Sequence, residues 1–167
     1  DYFVEAVARM AEEHPEMKEH TGIAILGGHA EELEGRLALP VYPIGYVSDQ
    51  QRIRDVYNAA DVFVLPSLED NLPNTIMEAM ACGVPCVGFR VGGIPEMIDH
   101  RRNGYVAAER DARDLAEGIR WVLDEADSAA LSEAAVAKVL HSYSQRSVAM
   151  QYLEVYNEAM AYKNFCL

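Results

Sequence analysis

LPSLEDNLPNTIMEAMACGVP, residues 65–85, joins an apolar strand to a short helix through a polar loop. The strand, Asp61-Val-Phe-Val-Leu65, is rich in β-branched and aromatic residues and stops at Pro66-Ser67. Two acids, two Asn and a Pro fill the loop, and the helix runs from Asn74 to about Cys82, where Gly83 ends it. A loop that feeds a helix N-terminus directly after a strand aims free backbone N–H groups and the positive end of the helix dipole at one spot, the geometry of an anion site.

Outward from this stretch the same alternation repeats. Tyr2 to Ala11 carries Phe3, Val4, Val7, Met10 and Ala11 at helical spacing, and His14-Pro15 ends the pattern. No strand precedes this helix in the sequence, so the chain is expected to begin just after a strand of the same sheet. Thr21 to Leu26 is a continuous apolar run ending at Gly27-Gly28, the form of a strand buried on both faces. A short helix over Ala30 to Leu37 and a strand over Val41 to Gly45 follow, the latter with Pro40 and Pro43 at irregular edges. Ser48-Asp-Gln-Gln51 has the form of a capping box for a helix with Ile53, Val56, Tyr57 and Ala60 on one face.

Beyond the central helix, Pro85 to Phe89 is another apolar strand. Gly92-Gly93-Ile-Pro-Glu96 starts a single helical turn, and Asn103-Gly104 turns the chain into a short strand at Tyr105-Val106. Three helices then close the sequence. The first, from Asp111, carries Leu115, Ile119, Val122 and Leu123. The second, from Ser128, carries Leu131, Ala135, Val139 and Leu140. The third, from Ser144, has Val148, Tyr152, Val155, Tyr156 and Met160 on one stripe. Five strands about twenty residues apart with helices between them predict a doubly wound parallel α/β sheet, in one domain over residues 1–167. In such sheets ligands bind outside the carboxyl ends of the strands, and the loop after Leu65 lies at one of them.

The composition narrows the function. With 27 Asp and Glu against 14 Lys and Arg, the formal charge of −13 argues against nucleic-acid or anionic-membrane binding. No apolar run approaches a membrane span, and no signal-peptide pattern opens the chain. Cys82, Cys86 and Cys166 fit no metal or redox spacing and read as small apolar residues in a reduced cytosol. The five His are scattered, so no metal ligand cluster is expected.

The loop and helix offer particular groups. The opening amides of the helix, with Asn71 or Asn74 as cap, either seat a phosphate or simply face water. Glu78, separated from Asp70 by seven residues, shares a face with Thr75 and Cys82. Its carboxylate either accepts from both ribose hydroxyls or is simply an exposed helix acid; flanks that are apolar almost all round weigh against the second, since a lone acid on a buried helix needs a partner. Asp70, beside Glu69, either accepts hydrogen bonds from sugar hydroxyls or shapes a turn.

Taken together, ILGG (25–28), IGYVSDQQRIRDVYNAADVFVLPS (44–67), PSLEDNLPNTIMEAMACGVPCVGFRVGGIPEMIDHRRNGYVA (66–107), and within it GGIPE and NGYV, resemble the C-terminal donor-binding domain of GT-B-fold family 4 (group 1) retaining glycosyltransferases. The resemblance implies a Rossmann-like half of a GT-B enzyme that moves a sugar from a nucleotide diphosphate to an acceptor, without a metal or other cofactor. It implies that the acids matching the family's pair, Asp70 and Glu78, contact the transferred sugar and the ribose, with Glu69 able to compensate for the shorter Asp70. It implies diphosphate contacts from the amides of Asn71, Leu72, Asn74 and Thr75, and base contacts from Val47 and Arg52. Asp70 stands where the family has Glu, and Pro73 where it commonly has Gly, which removes one amide. No catalytic proton-transfer base is evident. The implied partners are a nucleotide sugar and an N-terminal acceptor domain; that domain and the first strand, whose loop supplies Arg and Lys, are not in this sequence. Membrane association is expected only through that other domain, and the location is expected to be cytoplasmic. Two other readings share the fold: a non-catalytic nucleotide-binding or interaction module, and a GT-B-fold nucleotide-sugar epimerase.

Overall fold

The computed structural model describes residues 1–28 and 30–165, with side chains described through 161. In chain order the elements are α1 (Tyr2–Glu13), α2 (Met17–His20), β1 (Ile23–Leu26), α3 (Ala30–Leu33), β2 (Val41–Gly45), α4 (Gln50–Asn58), β3 (Phe63–Leu65) and α5 (Asn74–Ala81). They continue with β4 (Cys86–Phe89), α6 (Ile94–Met97), β5 (Gly104–Ala107), α7 (Ala112–Arg120), α8 (Ser128–Ser142) and α9 (Gln145–Phe165). A π-helical turn, Trp121–Glu125, extends α7. All strand pairs are parallel, as an alternating α/β chain requires, since parallel neighbours need crossover helices.

The strands form two ladders, β1-β2 and β3-β4-β5. Every residue of β4 and β5 is buried. Successive side chains point to opposite faces, so both faces of this ladder are covered. Helix α7 packs on β4 and β5 with α1 against it, and α5 packs on β3 and β4 with α8 against it. Phe89, Ile76, Met80, Ile94 and Leu115 are fully buried between these layers. Cys86 is buried there too, Cys82 is half-buried, and Cys166 lies outside the described residues.

Strand β1 departs from expectation. Its apolar run predicts burial on both faces, yet Ala24 is exposed and Ile23, Ile25 and Leu26 are half-buried. Its only ladder partner among the described residues is β2, and the helix following it is a single turn ending at Leu33, shorter than the pattern to Leu37 suggests. The β1-β2 register breaks between Ile25 and Leu26, opposite Pro43 and Gly45. Pro43 has no N–H for the ladder, and it sits exposed.

Two local readings also change. Helix α4 is capped by Asp49, whose carboxylate accepts from the Arg52 N–H at 2.8 Å, not by Ser48. A charged oxygen makes the stronger cap bond, and the shift sends the Gln51 amide to Asp55 (2.9 Å) instead of back to the cap. The turn signalled by Asn103-Gly104 occupies residues 101–103 instead: Arg101 takes the left-handed conformation and Gly104 is the first residue of β5. A Cβ at Gly104 would collide with the Cys86 backbone, so glycine is needed for close strand approach, not for its φ. Buried Asn103 fixes the turn by accepting from the Asp99 N–H (2.9 Å) and donating to the Met97 carbonyl (3.4 Å).

Next to that turn, Nδ1 of His100 accepts from the Val106 N–H at 3.1 Å, and the ring lies over Tyr105. Burial, then the charges of Arg101 and Arg90, hold its pKa below the ordinary 6.5. The unfolded chain therefore takes up this proton at higher pH than the folded one. The contribution to stability is complete above 6.5 and is lost as pH falls through the folded value. His100→Gln is expected to flatten the fall in melting temperature between pH 7.5 and about 5; identical slopes for the two proteins would remove His100 from that role.

At the C-terminal side, Leu131 and Ala135 of α8 are buried, but Leu140 is exposed, at the edge of the helical stripe that predicted its burial. Ser144 starts α9, its hydroxyl accepting from the Ser147 N–H at 3.2 Å. Along α9 the residues Tyr152, Val155, Tyr156 and Met160 are all exposed.

Candidate functional site

Five loops leave the carboxyl ends of parallel strands: after Leu26, Gly45, Leu65, Phe89 and Ala107. The third and fourth meet. The Gly93 N–H donates to the Asp70 carbonyl at 3.2 Å, and the 92–93 turn lies flat against the Asp70-Asn71 backbone. A Cβ on Gly92 would collide with the Asp70 carbonyl, and one on Gly93 with the Asn71 carbonyl. Two adjacent glycines thus let one loop back the other, which holds the acidic loop at the start of α5.

The first turn of α5 is bare. Its N-cap is Pro73, and no side chain caps it, so neither Asn71 nor Asn74 plays the cap role open to it in the sequence. Pro73 is buried and fixes its own φ at −68°, which sets the chain's approach to the helix without a polar side chain. The Ile76 N–H turns back to the Pro73 carbonyl (3.2 Å), while the N–H groups of Asn74 and Thr75 have no partner among the described residues. Asn71, Leu72, Asn74 and Thr75 are all exposed around these amides, and Asp70 is half-buried beside them. Glu69 is exposed.

Glu78 lies one turn further along α5. Despite its apolar flanks it is exposed, and the partner that those flanks call for is Tyr57, whose hydroxyl donates to Oε2 at 3.3 Å. Tyr57 is itself buried, its ring edge-on to Phe63 at 5.7 Å between centroids. Burial and then the neighbouring Glu78 charge push the Tyr57 hydroxyl's pKa well above its usual range, so it remains a donor. Val47 is half-buried in the loop between β2 and α4, and Arg52 is exposed in the first turn of α4. No hydrogen bond among the described residues ties Val47 or the Arg52 side chain to the Asp70 loop; they connect to it through α4, at whose far end Tyr57 reaches Glu78.

The fold, a parallel α/β domain, is the one seen in the C-terminal domain of a group 1 glycosyl transferase from Francisella tularensis, which it matches with a TM-score of 0.63 at 19% identity over 86% of this chain and 78% of that one. The chain belongs to the group 1 glycosyltransferases: the family model "Glycosyl transferases group 1" matches residues 1–125. Among curated relatives, N-acetyl-alpha-D-glucosaminyl L-malate synthase of Bacillus anthracis is 31% identical over 116 residues, 69% of this chain and 30% of that one. The fold matches sucrose-phosphate synthase from Thermosynechococcus elongatus with a TM-score of 0.73 at 24% identity, over 96% of this chain and 43% of the other. It also matches Anabaena Alr3699/HepE, solved in complex with UDP-glucose, with a TM-score of 0.73 at 21% identity over 94% of this chain and 44% of that one. The chain spans about a third of the curated relatives' length and under half of the sucrose-phosphate synthase and Alr3699/HepE structures.

The Tyr57–Glu78 hydrogen bond and the seating of Gly92-Gly93 against the Asp70 loop are contacts that motif reading passed over. The first had a signal. A tyrosine on the inner face of a helix needs a hydrogen-bond partner, and the isolated Glu78 needs one too.

Proposed function

We propose that this chain is the nucleotide-sugar donor domain of a retaining glycosyltransferase, which moves a sugar from a nucleotide diphosphate to an acceptor held by another domain. The observation that carries this reading is the bare first turn of α5 at the strands' carboxyl edge, flanked by Asp70 and Glu78. The amides of Asn71, Leu72, Asn74 and Thr75 take the diphosphate. The helix dipole there favours the leaving group's negative charge by about 0.3–1 kcal/mol, and hydrogen bonds add more. Asp70, with Glu69, takes the sugar hydroxyls; Glu78 takes the ribose; Val47 and Arg52 take the base. Donor binding in this scheme needs no divalent metal or other cofactor.

The acceptor domain is the second partner. The exposed apolar side chains of α9, a 21-residue helix, support a contact beyond this domain. No helix among the described residues is long and apolar enough to cross a membrane. We place the enzyme in the cytoplasm, where nucleotide sugars are its donor pool.

Calorimetric titration of the full-length protein with UDP, GDP and ADP tests the reading. One of the three is expected to bind at least about tenfold more tightly than the others, a difference of roughly 1.4 kcal/mol. EDTA is expected to leave that affinity unchanged. No binding by any of them would overturn the donor assignment and favour an interaction module, and loss of binding in EDTA would overturn the metal-free scheme. The 167 residues alone are expected to show no sugar transfer, and turnover by the purified chain would remove the need for a second domain.

A further inference from the structure

We propose that Tyr57 is a positioning residue for donor recognition, its buried hydroxyl holding one oxygen of Glu78 so that the carboxylate is presented to the ribose hydroxyls. This rests on the assignment of Glu78 to the ribose. Three observations carry it. First, the Tyr57 ring cannot wander: it is 4% exposed and packed edge-on against Phe63. Second, its hydroxyl has one hydrogen-bond partner among the described residues, Oε2 of Glu78. The thiols of Cys82 and Cys86 lie nearby, but that of Cys86 is directed to the Ile76 and Val84 carbonyls. Third, Glu78 is exposed and has no other partner among the described residues, so without Tyr57 its carboxylate would sweep through the rotamers of a solvated glutamate.

A carboxylate offers about four lone-pair directions, and one phenol hydroxyl occupies a single one of them. The rest stay free for a vicinal pair of ribose hydroxyls. Fixing the carboxylate before the donor arrives removes part of the ordering cost of binding. At 3.3 Å the contact is longer than an ordinary hydroxyl–carboxylate hydrogen bond.

A purely structural tyrosine makes a different prediction, which the ribose itself can separate. The full-length protein is titrated with its preferred nucleoside diphosphate and with the 2′,3′-dideoxy analogue, and the ratio of the two affinities is the readout. Wild type is expected to prefer the ribose form by about tenfold or more, since charge-assisted hydrogen bonds are at stake. Tyr57→Phe keeps the ring and its packing, so folding is retained; it is expected to lower the ratio about threefold or more while affinity for the dideoxy form stays unchanged. Glu78→Asp withdraws the carboxylate from the Tyr57 hydroxyl but keeps its charge, and is expected to lower the ratio as well. An unchanged ratio in Tyr57→Phe, or an equal loss for both ligands, overturns the role of Tyr57. Glu78→Ala separates the two levels. A lost ratio there with an intact one in Tyr57→Phe leaves Glu78 on the ribose and removes Tyr57 alone, whereas an intact ratio in Glu78→Ala overturns the ribose assignment and the proposal with it.

Discussion

Gly92→Ala is expected to weaken nucleotide binding by about 100-fold or more and to destabilise the fold by about 3 kcal/mol. Gly92 sits at φ 48°, in the left-handed region, where an added Cβ costs roughly 1 kcal/mol by itself. The larger effect is steric. The Cβ would meet the Asp70 carbonyl, and backbone cannot rotate aside as a side chain can. Either the 92–93 turn or the Asp70 loop must move, and the Gly93 N–H bond to Asp70 goes with it. The displaced loop carries the groups assigned to the donor, and losing two hydrogen bonds to a charged ligand at about 1.5 kcal/mol each lowers affinity for the preferred nucleotide by about 100-fold. Gly93→Ala should act in the same direction through Asn71. Calorimetry paired with thermal denaturation checks both effects. Wild-type affinity in Gly92→Ala would mean that the acidic loop is not held by this turn.

That prediction rests on a contact between segments twenty residues apart, and such contacts mark the limit of what the chain reveals by itself. Strand and helix positions were legible where an apolar run ends at a Gly, Pro or Ser, as after Leu26, Leu65 and Cys82. The anion-binding geometry at α5 was legible because a strand, a polar loop and a helix follow one another directly. The site's supports were not, since they come from across the fold. The choice between Ser48 and Asp49 as cap depends on which oxygen reaches the third amide, and both residue types suit the position. The half-exposure of β1 depends on how many neighbours the strand gains, which its own apolar run does not encode. Leu140 lies at the boundary of its helical stripe, where a rotation of a few degrees separates buried from exposed.

The pairing of Tyr57 with Glu78 is an instructive case between these extremes. The isolated acid on an apolar helix and the tyrosine on the inner face of the preceding helix are both readable, and each is incomplete. Their proximity follows once α4, β3 and α5 are placed consecutively in a parallel sheet, because both helices then start at the same edge. Tyr57 lies five residues beyond Arg52 and Glu78 four beyond Asn74, so each sits roughly 6–8 Å down its helix axis from those first-turn residues. Matching unmet hydrogen-bonding needs across neighbouring helices would have found the pair.

Glu78→Ala is expected to weaken nucleotide binding by roughly 100-fold, the second large effect. Two charge-assisted hydrogen bonds to ribose hydroxyls at about 1.5–3 kcal/mol each, offset in part by water entering the vacated space, leave a net loss of about 3 kcal/mol. The same change exchanges the Tyr57 hydroxyl's carboxylate acceptor for water, a cost of about 1 kcal/mol that the better helix propensity of Ala offsets only by a few tenths. Affinity and stability should therefore both fall in Glu78→Ala. Glu78→Gln separates them. Its amide oxygen still accepts from Tyr57, so the melting temperature should stay near wild type, while loss of the charge weakens the ribose contacts and lowers affinity by about tenfold. A stable Glu78→Gln with reduced affinity beside a less stable Glu78→Ala with lower affinity still would place one carboxylate in two roles, ligand contact and anchor for α4. Wild-type affinity in Glu78→Ala would confine it to the second.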